Sequence, residues 1–220
     1  LKELVDAGEL DGWDDPRAPT IKSLRRRGIR GEAIVESMIE LGTSTSNVDL
    51  AMSSVYSKNR NLIDDGADRQ FLVRDGTELG IVGGAPEAGE PPVHPDHEDR
   101  GTREIPVGAA VLLEPADLPE REERVWLKGL GCFRFTRDAL QYTGDDISAV
   151  REEGVDVVHW VPADDNEPVE LWTMDGVVEG HAEPGFRDQP VDTMVQFERV
   201  GFARVDAHDD DGSVAYFAHE

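Results

Sequence analysis

The stretch Val195-Gln196-Phe197-Glu198-Arg199-Val200-Gly201-Phe202, followed after His208-Asp209-Asp210-Asp211-Gly212 by Val214–Phe217, decides the fold class. Two short β-rich runs separated by an acidic, glycine-ended cluster read as a hairpin. Strict strand alternation puts Gln196 and Arg199 on opposite faces. They share a face only where the strand bulges, or where Arg199 already belongs to a turn that Val200-Gly201 permits. Working outward, the same texture recurs at Phe71–Val73, Val107–Leu113, Val155–Val161 and Val169–Trp172, between Gly, Pro and Asp clusters. That is the pattern of antiparallel barrels or a sandwich. The Pro-, Gly- and acid-rich stretch 83–101 reads as a long connection or the entry into a second barrel. No internal repeat is visible.

Residues 1–66 differ and read as helical. Thr20 is placed to cap a short helix through Arg27 that stops at Gly28. Ile34, Met38 and Leu41 form one apolar stripe on a second helix ending at Gly42. Ser46 with Asp49 resembles a capping box opening a third helix that carries Val48, Met52, Val55 and Leu62. A helical segment followed by a β segment is an α+β pattern and contains no complete Rossmann unit.

Charge is the loudest compositional fact. Among 220 residues, 47 acids face 22 Lys+Arg, for a net charge of −25. Lysine stands only at positions 2, 22, 58 and 128, leaving 18 arginines. Acidity of this kind ordinarily repels nucleic acid. Carboxylates spread over every segment, with lysine scarce, instead suggest adaptation to molar salt, where the Debye length shrinks to ~3 Å. No apolar run approaches the ~18 residues of a membrane span, and no signal-peptide pattern opens the chain. The single cysteine, Cys132, permits no intrachain disulfide and fits a reducing cytoplasm. Leu1 in place of a methionine suggests a fragment, a processed product or a trimmed chain.

No catalytic constellation emerges: there is no GxGxxG, no Walker loop and no GxSxG elbow. His94 and His97 invite a metal reading, but no cysteine pair accompanies them, and an acid- and proline-loaded solvated loop is expected, with no metal site. The acidic pentapeptide lacks the offsets of a calcium loop. Cys132 has no nucleophile context and is expected inside a barrel. Arg25, Arg26, Arg27 and Arg30 are the one dense positive patch, which a phosphate partner explains better than a solvated helix face.

The nonapeptide Gly12-Trp13-Asp14-Asp15-Pro16-Arg17-Ala18-Pro19-Thr20 with the arginine run Leu24–Gly28 resembles the archaeal-type glutamyl-tRNA synthetases and their glutaminyl relatives. Val158-His159-Trp160-Val161, Pro168-Val169-Glu170-Leu171, Val195–Phe202 and the region His94-Pro95 through Gly101-Thr102-Arg103 are similar in the same order. The resemblance implies a helical connecting subdomain at 1–66 that contacts the tRNA stem. It implies a proximal antiparallel β-barrel at 67–83 and 155–220, and a distal one at 84–154; both are ribosomal-protein-like and hold the anticodon. Trp13, Asp14, Asp15, Pro16 and Arg17 carry the family motif, and Arg25, Arg26, Arg27 and Arg30 are expected on the tRNA backbone. Arg69, Gln196 and Arg199 match positions that read the central anticodon uridine, with Lys128 as a further basic anticodon-side position. An amide and a guanidinium can donate to the exposed oxygens of a splayed uracil.

The catalytic domain of such an enzyme precedes these segments, so the chain is expected to be inactive alone and to need no cofactor. ATP and Mg²⁺ serve the full-length ligase. The expected partner is tRNA-Glu, and in some organisms tRNA-Gln; the missing catalytic domain is the other, and a cytoplasmic monomer is expected. Glutaminyl-tRNA synthetase and a non-catalytic RNA-binding barrel protein are the alternatives.

Overall fold

The computed structural model describes residues 1–42 and 50–220. Its N-terminal part carries helices α1 (Lys2–Asp6), α2 (Ile21–Arg26), α3 (Gly31–Leu41) and α4 (Met52–Ile63). The Thr20 hydroxyl accepts from the Ser23 N–H (3.0 Å) and caps α2 as expected. Gly28, at φ +90°, ends the turn. Helix α3 ends at Gly42, but its buried face is Ala33 and Ser37; Met38 is exposed and Ile34 only half-buried. The Ser37 hydroxyl donates to the Ala33 carbonyl (2.8 Å), and of the expected apolar stripe Ile34 packs on the helical core while Met38 faces outward. The Ser46/Asp49 capping box and Val48 lie outside the described residues.

The rest is built from β1 (Asp68–Gln70), β2 (Leu72–Arg74), β3 (Thr77–Val82), β4 (Ala88–Gly89), β5 (Ile105–Pro106), β6 (Ala110–Leu113), β7 (Arg124–Leu127), β8 (Gly131–Thr136) and β9 (Ala139–Gly144). A short helix α5 (Ser148–Glu153) precedes β10 (Asp156–Val158), β11 (Val161–Pro162), β12 (Glu167–Thr173), β13 (Gly176–Ala182), β14 (Met194–Phe197), β15 (Gly201–His208) and β16 (Ser213–His219). The acidic turn 209–212 joins β15 to antiparallel β16, as its composition suggests. No helix among the described residues is long and apolar enough to cross a membrane.

Two seven-stranded sheets result, in the orders β1-β14-β15-β16-β12-β13-β2 and β10-β7-β8-β9-β3-β6-β11. The two edges of the first, β1 and β2, are separated only by Phe71. The two edges of the second, β10 and β11, are separated only by His159 and Trp160. Edges that are consecutive pieces of one chain must meet, so each sheet curls into a near-barrel. Both sheets read parallel, antiparallel, antiparallel, parallel, antiparallel, antiparallel from one edge to the other. The parallel pairs depart from the expected all-antiparallel pattern. They join strands that no hairpin connects, so no tight turn imposes opposite directions.

The matching order is an internal repeat, where none was expected from the sequence. Glu122 and Asp192 (φ 69° and 73°), Gly129 and Arg199 (77° and 65°), and Gly131 and Gly201 (132° and 137°) occupy corresponding turns. Glu114-Pro115 and Glu183-Pro184 each open a short 3₁₀ turn after β6 and β13. In the first barrel the closing strand comes first in the chain; in the second it comes last. The second barrel is therefore inserted into the first. Strands β3, β10 and β11 pair inside the second sheet, so the chain changes sheet at 75–76 and 163–166, not at 83–84 and 154–155. Apolar runs carry no local mark of the sheet they will join.

Alternation along the first closing strand couples the two cores. Leu72 points into the first barrel's core with Phe186, Val195, Phe197 and Val205, while Phe71 and Val73 enter the second with Phe133, Leu140 and Trp160. The helical part packs Ile29, Ala33, Val55 and Ile63 against Met194, Phe202 and Ala218 on the first barrel's outer face. Cys132 is buried with Trp126 against Val150 of α5 and Val155, apart from the main core of its barrel.

Candidate nucleic-acid interface

The motif loop is organised by one carboxylate. Asp15 is buried and accepts from the Asp11 N–H (3.0 Å), the Arg17 N–H (2.9 Å) and the Arg17 guanidinium in a fork (2.9 and 2.6 Å). The Arg17 hydrogen bonds hold its pKa down at about 2 against the opposing effect of burial. The Ser23 hydroxyl donates to the Pro16 carbonyl (3.2 Å) and the Thr20 hydroxyl to the Trp13 carbonyl, which anchors the loop on α2. Trp13 is left about half exposed (48%).

The arginine cluster divides. Arg27 is buried: its guanidinium donates to the Phe217 carbonyl (2.9 Å), the Ala218 carbonyl (2.5 Å) and the Tyr56 hydroxyl (3.3 Å), tying α2 to β16. The guanidinium expected on the tRNA backbone is thus turned into the protein here. Helical geometry turns successive side chains by ~100°, so one member of a run of three faces the sheet. Arg26 stacks on Tyr216 (4.5 Å) and pairs with Asp206 (3.0 Å) and Asp14 (3.3 Å). Arg25 and Arg30 are exposed and have no ion pair among the described residues. They share a cleft of about 1070 Å³ with Trp13 and with Lys22, a cation the sequence reading did not single out.

The joint between the barrels holds the other candidates. Phe71 and His159, residues of the two closing kinks, face each other at 6.1 Å, and the Leu72 carbonyl accepts from His159 Nε2 (2.8 Å). Around them lie two acids of the Glu-Pro turn in the second barrel. Glu114 takes a fork from Arg74 (2.7 and 3.1 Å), and Asp117 takes one from Arg199 (2.5 and 2.6 Å). Burial pushes the His159 pKa down, and burial works to raise that of Glu114, where the Arg74 hydrogen bonds outweigh it. Glu114, Asp117 and His159 present ligand-type atoms within 4.8 Å of one another. Both carboxylates are occupied by guanidinium forks, so the arrangement is an ionic lock, not a cation cage.

Arg199 lies in the turn after β14, at φ 65°, which resolves the alternation question in favour of the turn. Its side chain is about half exposed (48%), while that of Asp117 is buried. Gln196 is half-buried on β14, directly opposite Arg69 in register. Arg69 itself is buried: it donates to Asp64 (2.7 Å) and to the Ala67 carbonyl (3.0 Å). Lys128 pairs with Glu198 beside the Arg199 turn. A deeper pair, Arg103 with Glu183 (2.6 Å), sits under Phe71, and burial raises the Glu183 pKa despite the arginine.

The expected histidine loop is not simply solvated. His94 is buried against the Asp64 carbonyl (3.1 Å) with its ring tilted against that of His97 (4.5 Å), which reaches Asp65 (3.3 Å). These rings pin residues 94–100 onto the end of α4.

Two family models match the chain, both described as the anticodon-binding domain of class I tRNA synthetases (E and Q), over residues 67–151 and 157–206. Among curated proteins, the glutamate–tRNA ligases of Haloarcula marismortui and Natronomonas pharaonis are each 64% identical over the whole chain. The glutamate–tRNA ligase of Methanosarcina acetivorans is 40% identical. The chain spans 38–39% of the length of these relatives.

Proposed function

The chain belongs to the class I glutamyl/glutaminyl tRNA synthetase family as its anticodon-binding part, and from that premise we propose that it holds the anticodon arm of tRNA-Glu for a glutamate–tRNA ligase. The ligase chemistry, with ATP and Mg²⁺, belongs to the remainder of such an enzyme, and these residues alone form no glutamyl-adenylate. Relatives 58–64% identical to the chain carry the glutamyl name, which favours tRNA-Glu over a purely glutaminyl role. Charging of tRNA-Gln by the same enzyme, a cytoplasmic location and a monomeric state are parts of the proposal.

One observation supports the reading site most. The corresponding turn of the second barrel uses Gly129 at φ 77°, whereas the first holds Arg199 at φ 65°. A non-glycine residue in that region costs about 1 kcal/mol or more. The strain is retained on a half-exposed guanidinium whose plane a buried aspartate fixes. Arg199 then keeps N–H donors for uracil oxygens, and the Gln196 amide supplies a second set from the neighbouring strand. Arg69 acts behind Gln196 by fixing β1, and Lys128 acts through Glu198. Arg25 and Arg30, joined by Lys22, contact phosphates and position the tRNA without reading it.

The test is a protein–RNA cycle in the full-length enzyme. Gln196→Ala or Arg199→Ala should lower kcat/KM for tRNA with a central uridine by about 1–3 kcal/mol per lost set of contacts. The penalty should largely vanish for tRNA altered at that base. Strictly additive penalties would make both residues structural and remove the reading.

A further inference from the structure

We propose that the groove between α4 and the β12–β13 hairpin is a pocket for one unpaired RNA nucleotide, with its phosphate on Arg60 and its base on the aromatic and aliphatic lining. The inference rests on the reading that this chain binds an anticodon arm, and adds a subsite to it. The groove has a volume of about 710 Å³, within the usual range for small-ligand sites. Tyr56, Arg60, Met174, Val178 and Phe217 line it.

Three features select a nucleotide. First, Arg60 is exposed and has no acidic partner among the described residues, in a protein of net charge −25 whose arginines are mostly engaged by carboxylates. Its guanidinium sits 5.9 Å from the Phe202 ring, which steadies the head without using up its N–H donors. Second, the aromatic floor is held rigidly. Tyr56 stacks on His219 at 5.2 Å and 23°, and its hydroxyl accepts from buried Arg27. Burial lowers the His219 pKa, so the imidazole stays neutral near pH 7 and repels no cation or base. Stacking on such a surface is tolerant of base identity. Third, the groove is continuous with the joint: Arg74 of the ionic lock and Val200, next to Arg199, also line it. A strand whose one base meets Arg199 is thereby led to place a flanking nucleotide here. The carboxylates of Asp175 and Glu220 also line the groove. Their repulsion of a phosphate is short-ranged in molar salt, where the Debye length is ~3 Å.

The experiment uses the intact protein that carries this chain, with Arg60→Gln and Met174→Asp as separate variants. Both positions are exposed (Met174 at 54%), so folding is preserved, which circular dichroism in molar KCl verifies. Binding is measured by anisotropy against labelled tRNA-Glu and a panel in which each anticodon-loop nucleotide in turn is abasic. Met174→Asp should weaken intact tRNA about 10-fold, and the loss should disappear with one particular abasic tRNA. Arg60→Gln should weaken binding and lower the salt slope by about 0.7. If Met174→Asp binds all tRNAs as the parent does, or loses equally on every abasic tRNA, the pocket is refuted. Arg199→Ala run on the same panel separates the two ideas. Coupling of Arg199 to the central uridine without coupling of Met174 to any base sinks only the pocket; absence of both sinks the anticodon reading beneath it.

Discussion

Arg27→Ala should destabilise the fold severely while Arg25→Ala, two residues away, should not. The Arg27 guanidinium makes two hydrogen bonds to backbone carbonyls of β16 and one to Tyr56. Hydrogen bonds with a charged partner contribute about 1.5–3 kcal/mol each, so the two carbonyl bonds represent about 3–6 kcal/mol. Freeing the side chain and removing its desolvation penalty returns roughly 2 kcal/mol. The net cost is about 1–4 kcal/mol, and for a chain of this size that lowers Tm by roughly 2–16 °C. Arg25→Ala, at an exposed position, should shift stability by no more than about 0.5 kcal/mol. Arg27→Lys should recover little, because an ammonium cannot span both carbonyls as a planar fork does. The assay is thermal unfolding by circular dichroism in molar KCl, alongside tRNA affinity for each variant. The assignment fails if Arg27→Ala melts like the parent and loses tRNA affinity as Arg25→Ala does, because Arg27 would then be a phosphate contact.

The remaining expectations concern solvent conditions. Asp15, held at about pKa 2 by Arg17, stabilises the motif loop above its unfolded pKa near 3.9, and that contribution disappears as pH falls toward 2. Asp15→Asn should therefore lose roughly 1–2 kcal/mol at pH 7 and show a flatter acid limb between pH 4 and 2 in denaturant titrations; an unchanged acid limb argues against the loop's dependence on this carboxylate. His159, with its pKa lowered by burial, favours the fold while neutral, so stability should be complete above about pH 6.5 and decline below it. His159→Gln should shallow that decline, leaving the part owed to His219, whose pKa burial also lowers; an identical pH profile would refute the assignment. With 47 acids against 22 bases, the folded signal should be lost as KCl falls from a few molar to ~0.1 M. A Tm independent of KCl would remove the salt-adaptation argument.

What could be read from the sequence was what local chemistry decides. The Thr20 cap, the stops at Gly28 and Gly42 and the acidic turn 209–212 depend on neighbours within a few residues, and each stands where its residues indicate. The motif Trp13–Arg17 was legible as a resemblance, and its physical reason, the fork from Arg17 to Asp15, spans two positions. Long-range pairing was illegible. Three consecutive arginines look alike in sequence, and only the carbonyls of β16 determine that Arg27 is the buried one. Arg69 carries the charge expected of a base reader, yet α4 delivers Asp64 to it, and its position opposite Gln196 passes its influence through the sheet. Strands β3, β8, β9, β13 and β15 gave no run distinct enough to stand alone, because their apolar residues are interrupted by Gly, Thr and charged side chains, and β7 offers only Val125-Trp126-Leu127. The joint is the extreme case: Arg74, Glu114, Asp117, His159 and Arg199 come from four separate segments. They meet because each barrel closes through a kinked strand and the two kinks, at Phe71 and His159–Trp160, lie against each other. A signal did exist. A valine, an apolar residue two positions on and a glycine four beyond that recur at 125–131 and 195–201, each following one of the chain's four Glu-Pro pairs, at 114 and 183. Aligning those two runs superposes Gly129 on Arg199, and the arginine then stands out as the one member of the pair that the turn geometry disfavours.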